Sequence, residues 1–212
     1  MNYFSVLDYS EAEQVVEKSR FITYTKPVYD ENEAAEFIAR IKKLNYDASH
    51  NVSAYVIGES SDIKRYSDDG EPSGTAGMPM LDVMLKKGIT NTCVVITRYF
   101  GGIKLGTGGL VRAYTESTKM GLEASKIVEY RGMRCYSITC TYDLAPKIQY
   151  RLKGSDVIIK DTEYLEKVRF LVYVKEDEMK ILDELIDITS SLIYIEEKDN
   201  VFVRFCDDRI ID

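Results

Sequence analysis

The sequence contains no tryptophan, a single histidine and no long apolar run. Sites built from several imidazoles are therefore excluded, and His50 is the one imidazole left for acid–base chemistry. A membrane-spanning helix needs ~20 consecutive apolar residues, and no run approaches that length. The first residues, Met1 to Asp8, also lack the cationic and apolar segments of a secretory signal. We expect a cytoplasmic protein with no membrane partner.

Cysteine is scarce as well, and its four positions lack the paired spacing of zinc ligands. Three of them fall in runs that predict strands. We therefore expect buried, reduced thiols, no metal ligand and no cofactor. The four are Cys93, Cys135, Cys140 and Cys206.

The chain has 212 residues, of which 45% are hydrophobic, and this is enough for real cores. The pattern predicts an α+β protein of two domains, residues 1–132 and 133–212. The net charge of −7 is unevenly divided, with 16 basic and 18 acidic residues in the first domain and 12 and 17 in the second. Any nucleic-acid contact should therefore be local and belong to the first domain.

A glycine-rich run joins a predicted buried strand, residues 91–97, to a predicted long helix, residues 110–126. Glycines let the backbone approach a ligand closely, and a helix start offers unpaired N–H groups and a positive dipole end. Both features favour an anion. The predicted anion-binding residues are Arg98, Gly101, Gly102, Lys104, Gly106, Thr107, Gly108, Gly109 and Arg112.

Charge patterning supports this prediction. Between Asp82 and Glu116 the chain has no carboxylate and carries five cations. Such a window favours phosphate or carboxylate ligands. The run matches neither the P-loop nor the dinucleotide-binding spacing. Alternatively, its glycines simply permit a tight turn and close helix packing.

The loop at residues 67–77 concentrates carboxylates among turn-forming residues. Asp68, Asp69 and Glu71 could hold Mg²⁺, or pair with Arg98 or Arg112 across a cleft. They could also act as turn formers and helix-dipole partners, and a structural or salt-bridging role is favoured because no calcium-loop spacing is present. His50 is interpreted as a turn-stabilising side chain that lines the same cleft. No catalytic residue is assigned.

The second domain shows the order strand, helix, strand, strand, helix, strand between residues 135 and 195. Apolar side chains recur at helical spacing in the two helices, and the strands are rich in β-branched and aromatic residues. This order predicts a ferredoxin-like domain.

Several segments together resemble the Impact family, also called the YigZ family, in its bacterial two-domain form. The resemblance is carried by residues 18–21, 47–51, 67–77 and, above all, 98–114. It implies a first domain like that of a small-subunit ribosomal protein and the GHMP kinases, and a second domain like the last domain of elongation factor G. In eukaryotic relatives the family domain is joined to an extra interaction domain and regulates translation under stress. Val52 replaces an expected cysteine, so thiol chemistry is not implied there.

These observations favour a translation-associated regulator without enzymatic activity. Its partner would be RNA, a ribosome-associated factor or a nucleotide, with no DNA specificity. One alternative is a metal-dependent phosphoryl-transfer or hydrolytic enzyme that uses the acidic loop and His50. Another is a module that binds only proteins.

Overall fold

The computed structural model describes residues 2–211, which form two compact units. Residues 2–130 and 204–211 belong to the first unit, and residues 131–203 form the second. The sequence pattern instead assigned everything after residue 132 to the second domain. The ferredoxin-like order ends near residue 195. The sequence of the short strands that follow does not indicate which of the two units they belong to.

The first unit contains most of the regular structure. Its elements are β1 (Asn2–Val6), β2 (Ser10–Val16), β3 (Ser19–Pro27), α1 (Glu31–Leu44), β4 (His50–Ile57), β5 (Ile63–Ser67), α2 (Gly77–Lys86), β6 (Thr92–Tyr99) and α3 (Gly106–Ala124). Five strands form an antiparallel sheet in the order β2-β3-β6-β4-β5.

Both faces of this sheet are covered by helices. On one face, Val94 and Ile96 of β6 pack in a core with side chains of α2 and α3. On the other, Cys93 and Val95 pack against α1. Because the central strand is buried on both sides, it is a continuous apolar run rather than an alternating one. This explains why residues 91–97 predicted a buried strand.

Helix α3 begins one turn earlier than the sequence pattern indicated. The predicted start was residue 110, whereas the helix starts at Gly106. Glycine is a poor helix former, so three glycines at the start hid the first turn. The glycine-rich segment is therefore partly helix rather than loop.

The second unit has the predicted ferredoxin-like order. After β7 (Ile127–Cys140), which crosses the unit boundary, come α4 (Ala145–Lys153), β8 (Ile158–Tyr164), β9 (Val168–Val174), a 3₁₀ turn (Glu176–Glu178), α5 (Lys180–Ile188) and β10 (Tyr194–Glu197). The strands pair antiparallel in the order β10-β7-β9-β8, and both helices pack on one face. The chain ends with β11 (Val201–Cys206) and β12 (Arg209–Ile211).

The α+β prediction is confirmed, since residues 2–211 contain two sheets and five α-helices. No helix within this range is long and apolar enough to cross a membrane.

The start of α1 yields a stability prediction. The Asp30 carboxylate accepts from the backbone N–H of Glu33 at 2.8 Å, which is the hydrogen bond of an N-cap residue. Replacing Asp30 with alanine should lower the free energy of unfolding of the first unit by about 1 kcal/mol. Asp30→Ser should retain most of the stability because its hydroxyl can accept the same bond. Equal losses in the two variants, measured by urea denaturation, would contradict the capping role.

Candidate anion-binding cleft

The first turn of α3 is open to solvent. Gly106, Thr107 and Gly108 are exposed, no side chain caps the helix, and its first turn contains no acidic residue. The first N–H groups of a helix have no partner within the helix, and they sit at the positive end of the dipole. We call residues 106–109 the α3 tip. Its exposure is the condition that an anion site requires.

A cavity of about 490 Å³ lies beside the tip, between α3 and the turn that follows β2. We call it the α3 cleft. It combines apolar walls with charged side chains, which is the usual composition of a ligand pocket. Its lining residues are Gln14, Val16, Glu17, Ile103, Lys104, Leu105, Gly109, Arg112, Ala113 and Glu116.

The charges in the cleft are mixed. Lys104 and Arg112 face it from the predicted window, and neither forms an ion pair with any part of the described chain. Glu17 and Glu116 line the same cavity, although Glu116 also pairs with Lys119 at 2.7 Å. The segment between Asp82 and Glu116 contains no acidic residue, but the fold brings acidic side chains from elsewhere in the chain close to it. Two unpaired cations remain beside the tip.

Arg98 occupies a different environment from the other predicted cations. Its guanidinium lies between the rings of Phe21 and Phe100, and its side chain is only 6% exposed. Its Nη1 donates to Glu71 Oε1 at 2.7 Å, and the Glu71 side chain is 2% exposed. The sequence pattern placed Arg98 with Lys104 and Arg112 in the anion site and also offered a pairing with the acidic loop, and the structure shows the pairing, with Glu71. It is not available to a ligand in this arrangement.

Tyr114 completes this buried group. Its hydroxyl donates to Glu71 Oε1 at 2.8 Å. Burial, together with the negative charge of Glu71, raises the pKa of Tyr114 far above its usual value. The phenol therefore stays protonated and keeps donating. We call Glu71, Arg98 and Tyr114 the Glu71 cluster, and it ties the acidic loop to β6 and to α3.

The other two carboxylates of the loop also have protein partners. Asp68 accepts from the backbone N–H groups of Gly74 and Gly77, each at 2.8 Å, and so caps the start of α2. Asp69 accepts from the Asn51 N–H at 2.6 Å and pairs with Lys42 at 2.5 Å. The three carboxylates diverge, and residues 2–211 contain no group of three potential ligands close enough for a metal ion. The geometry thus gives the acidic loop structural and salt-bridging partners.

His50 lies next to Arg98 across the β4–β6 pairing. Its Nδ1 is 2.9 Å from the carbonyl oxygen of Asp69, and because a carbonyl only accepts, Nδ1 carries the proton. Its Nε2 is 3.8 Å from Glu71 Oε2. His50 contacts the acidic loop rather than the α3 cleft, and these contacts position the loop.

The glycines of the run have different roles. Gly101 lies against Lys18, and a Cβ there would overlap the backbone carbonyl group of Lys18. A Cβ on Gly108 would meet no atom within 4 Å. Gly102 is also open, and its φ of +86° is one that glycine adopts without strain. Close packing therefore accounts for Gly101, whereas the tip glycines keep the backbone accessible.

Sequence reasoning missed one whole wall of the cleft. Gln14, Val16 and Glu17 come from β2 and its turn, and Gln14 donates to the Ala113 carbonyl at 3.0 Å and to Ser117 Oγ at 2.6 Å. The alternation along β2 was a usable signal, but its half-buried inward positions include glutamine and were not recognised as facing the protein.

The buried ion pair leads to a prediction for a double-mutant cycle. Glu71→Gln and Arg98→Met should each destabilise the first unit by about 3–5 kcal/mol, because each leaves a buried partner without its counter-charge. The double variant should lose less stability than the sum of the losses in the two single variants. Hydrogen exchange of β6 amides would measure these free energies, and strictly additive losses would contradict the coupling.

The glycines provide a matched pair. Gly101→Ala should cost more than about 2 kcal/mol because of the clash with Lys18. Gly108→Ala should stabilise the protein by about 0.4–1 kcal/mol, since alanine fits the helix and restricts the unfolded chain. Thermal unfolding of the two variants would distinguish them, and similar losses in both would refute the difference in packing.

Comparison with known proteins places the chain in a family. Residues 17–122 match the Impact N-terminal domain, and residues 138–191 match a domain of unknown function, DUF1949. IMPACT family member YvyE of Bacillus subtilis is 45% identical over 204 residues, which cover 96% of this chain and 94% of that protein. IMPACT family member YigZ of Escherichia coli is 35% identical over 151 residues, covering 70% and 74%. A crystal structure of a hypothetical protein superposes with a TM-score of 0.58 at 28% identity, covering 93% of this chain and 98% of that one. The chain therefore belongs to the Impact family.

Proposed function

We propose that this protein is a cytoplasmic, translation-associated regulator whose first unit binds phosphate groups of RNA or of a nucleotide at the α3 tip. Membership of the Impact family supports the translation-associated role. The structural observation that carries the proposal is the exposed, uncapped α3 tip beside two unpaired cations.

Binding at the α3 tip depends on which donor groups are free. An anion at the helix end would accept hydrogen bonds from the N–H groups of residues 106–108, and Lys104 and Arg112 would add charge-assisted bonds from the adjoining cleft. Arg98 is not part of the proposed site, because its guanidinium already donates to the Glu71 carboxylate inside the first unit.

The overall charge restricts the kind of binding. A chain of net charge −7 does not attract a polyanion over its whole surface, so only a local contact is favourable. Contacts to phosphates also carry little sequence information. A regulator that recognises exposed phosphates on RNA, rather than a reader of DNA sequence, fits these constraints.

The proposal predicts the behaviour of a double variant of the cleft. Lys104→Ala with Arg112→Ala should weaken binding to a single-stranded RNA oligonucleotide and to bacterial ribosomes by about tenfold or more. The slope of log affinity against log salt should fall by about 1.4 if each side chain neutralises one phosphate. Fluorescence anisotropy and co-sedimentation at several salt concentrations would measure both quantities.

The matched control is Lys86→Ala with Lys87→Ala, which removes two cations of the same charge window outside the cleft. It should leave RNA affinity and its salt slope unchanged. Unchanged binding in the cleft variant, or equal losses in both variants, would refute a site at the α3 tip.

A further inference from the structure

A second concave surface lies on another flank of α3, beside α2. We call it the α2–α3 groove, with a volume of about 360 Å³ between the two helices. Arg112 and Glu116 face the cleft, whereas Val111, Thr115 and Lys119 line the groove. Residues spaced by four lie on one side of a helix, so α3 presents two separate ridges. None of the residues assigned to RNA binding lines this groove.

The floor of the groove is apolar. Pro79 and Val83 of α2 face Val111 of α3, and Val111 is 36% exposed. On α2, Met78 and Leu85 are exposed as well, on the same side as the groove residue Asp82 by helical spacing. Large apolar side chains that remain exposed together mark interaction sites. The floor offers a partner an apolar contact.

The rim of the groove is basic. Lys86, Lys87 and Lys119 line it against one acid, Asp82. Lys86 forms no ion pair with the described part of the chain, Lys87 lies 3.9 Å from Glu123, and Lys119 pairs with Glu116 at 2.7 Å. An apolar floor with positive edges is complementary to an apolar stripe with negative edges.

The length and lining of the groove indicate what kind of partner fits it. Residues 79–86 of α2 and 111–119 of α3 each span about two turns, or roughly 10–12 Å. Two packed helices form a groove that accepts a third helix through anchors spaced i, i+3, i+4 and i+7. No aromatic ring and no arginine line the groove, so it lacks the groups on which nucleic-acid bases stack.

From the floor, the rim and the length of this surface, we infer that the α2–α3 groove docks a short amphipathic helix with acidic flanks, supplied by a partner protein. The surface is small, so the contact belongs to the weak, transient class. This inference does not depend on the proposed RNA site. It gives the first unit one surface for phosphates and another for a protein segment, with α3 shared between them.

The test uses the full chain and a synthetic peptide of about 14 residues with leucines at the anchor spacing and glutamates on both flanks. Amide NMR spectra of the labelled protein should show saturable shifts at Lys86, Val111 and Thr115. Val111→Asp should weaken binding by about tenfold or more, because it places a like charge on the apolar floor. The remaining amide signals of this variant report whether the fold is kept.

Val15→Asp is the matched control. Val15 lies on β2 and is 65% exposed, so this variant makes the same chemical change outside the groove. It should bind the acidic peptide like the parent chain, and a peptide with lysines in place of the glutamates should not shift the groove amides. Absence of groove shifts with the acidic peptide would overturn the inference. So would equal binding by the lysine peptide, full binding by Val111→Asp, or groove shifts caused by single-stranded RNA.

Discussion

The ion pair between Glu71 and Arg98 is the contact on which the first unit is organised. One buried carboxylate joins the acidic loop to the central strand through Arg98 and to α3 through Tyr114. Removing one member of a buried charge pair leaves the other charge uncompensated. Here the carboxylate accepts hydrogen bonds from Arg98 and Tyr114, whereas the buried Nε of Arg98 has no hydrogen-bond partner among the described residues. Together with the apolar contacts of Leu110 and Leu122, these bonds hold α3 on the sheet. Every proposed binding surface in turn depends on α3.

Helix α3 buries one side and exposes three features. Its buried side packs on the sheet, its tip presents unpaired N–H groups, and its two flanks line the cleft and the groove. The charges differ between the flanks, with mixed charges around the cleft and lysines around the groove. A single rigid helix can therefore hold a phosphate and a protein segment at defined positions on one unit. Under the proposed function, this combination would suit a regulator that connects an RNA-containing particle to another protein.

Sequence reasoning found those parts of the structure whose signals are local. A continuous apolar run predicted β6 because that strand is buried on both faces, and the order of strands and helices predicted the ferredoxin-like unit. The start of α3 was misplaced by one turn. Glycine has a low helix propensity, so the first turn, which tertiary packing holds in place, was not recognised as helix. Glu17 enters the cleft from the turn after β2, far from Lys104 and Arg112 in sequence, and Arg98 turns inward to Glu71. Both depend on three-dimensional proximity, which a charge window along the chain does not record.

The central claim, that the α3 tip binds anionic oxygen, is tested most directly by titrating the labelled full chain with inorganic phosphate and following its amide NMR signals. The account predicts saturable shifts of the backbone amides of Gly106, Thr107 and Gly108, because these N–H groups would donate to phosphate oxygens. The amides of β6 should stay unchanged. Shifts confined to other surfaces, or no shift at the tip at saturating phosphate, would contradict the claim.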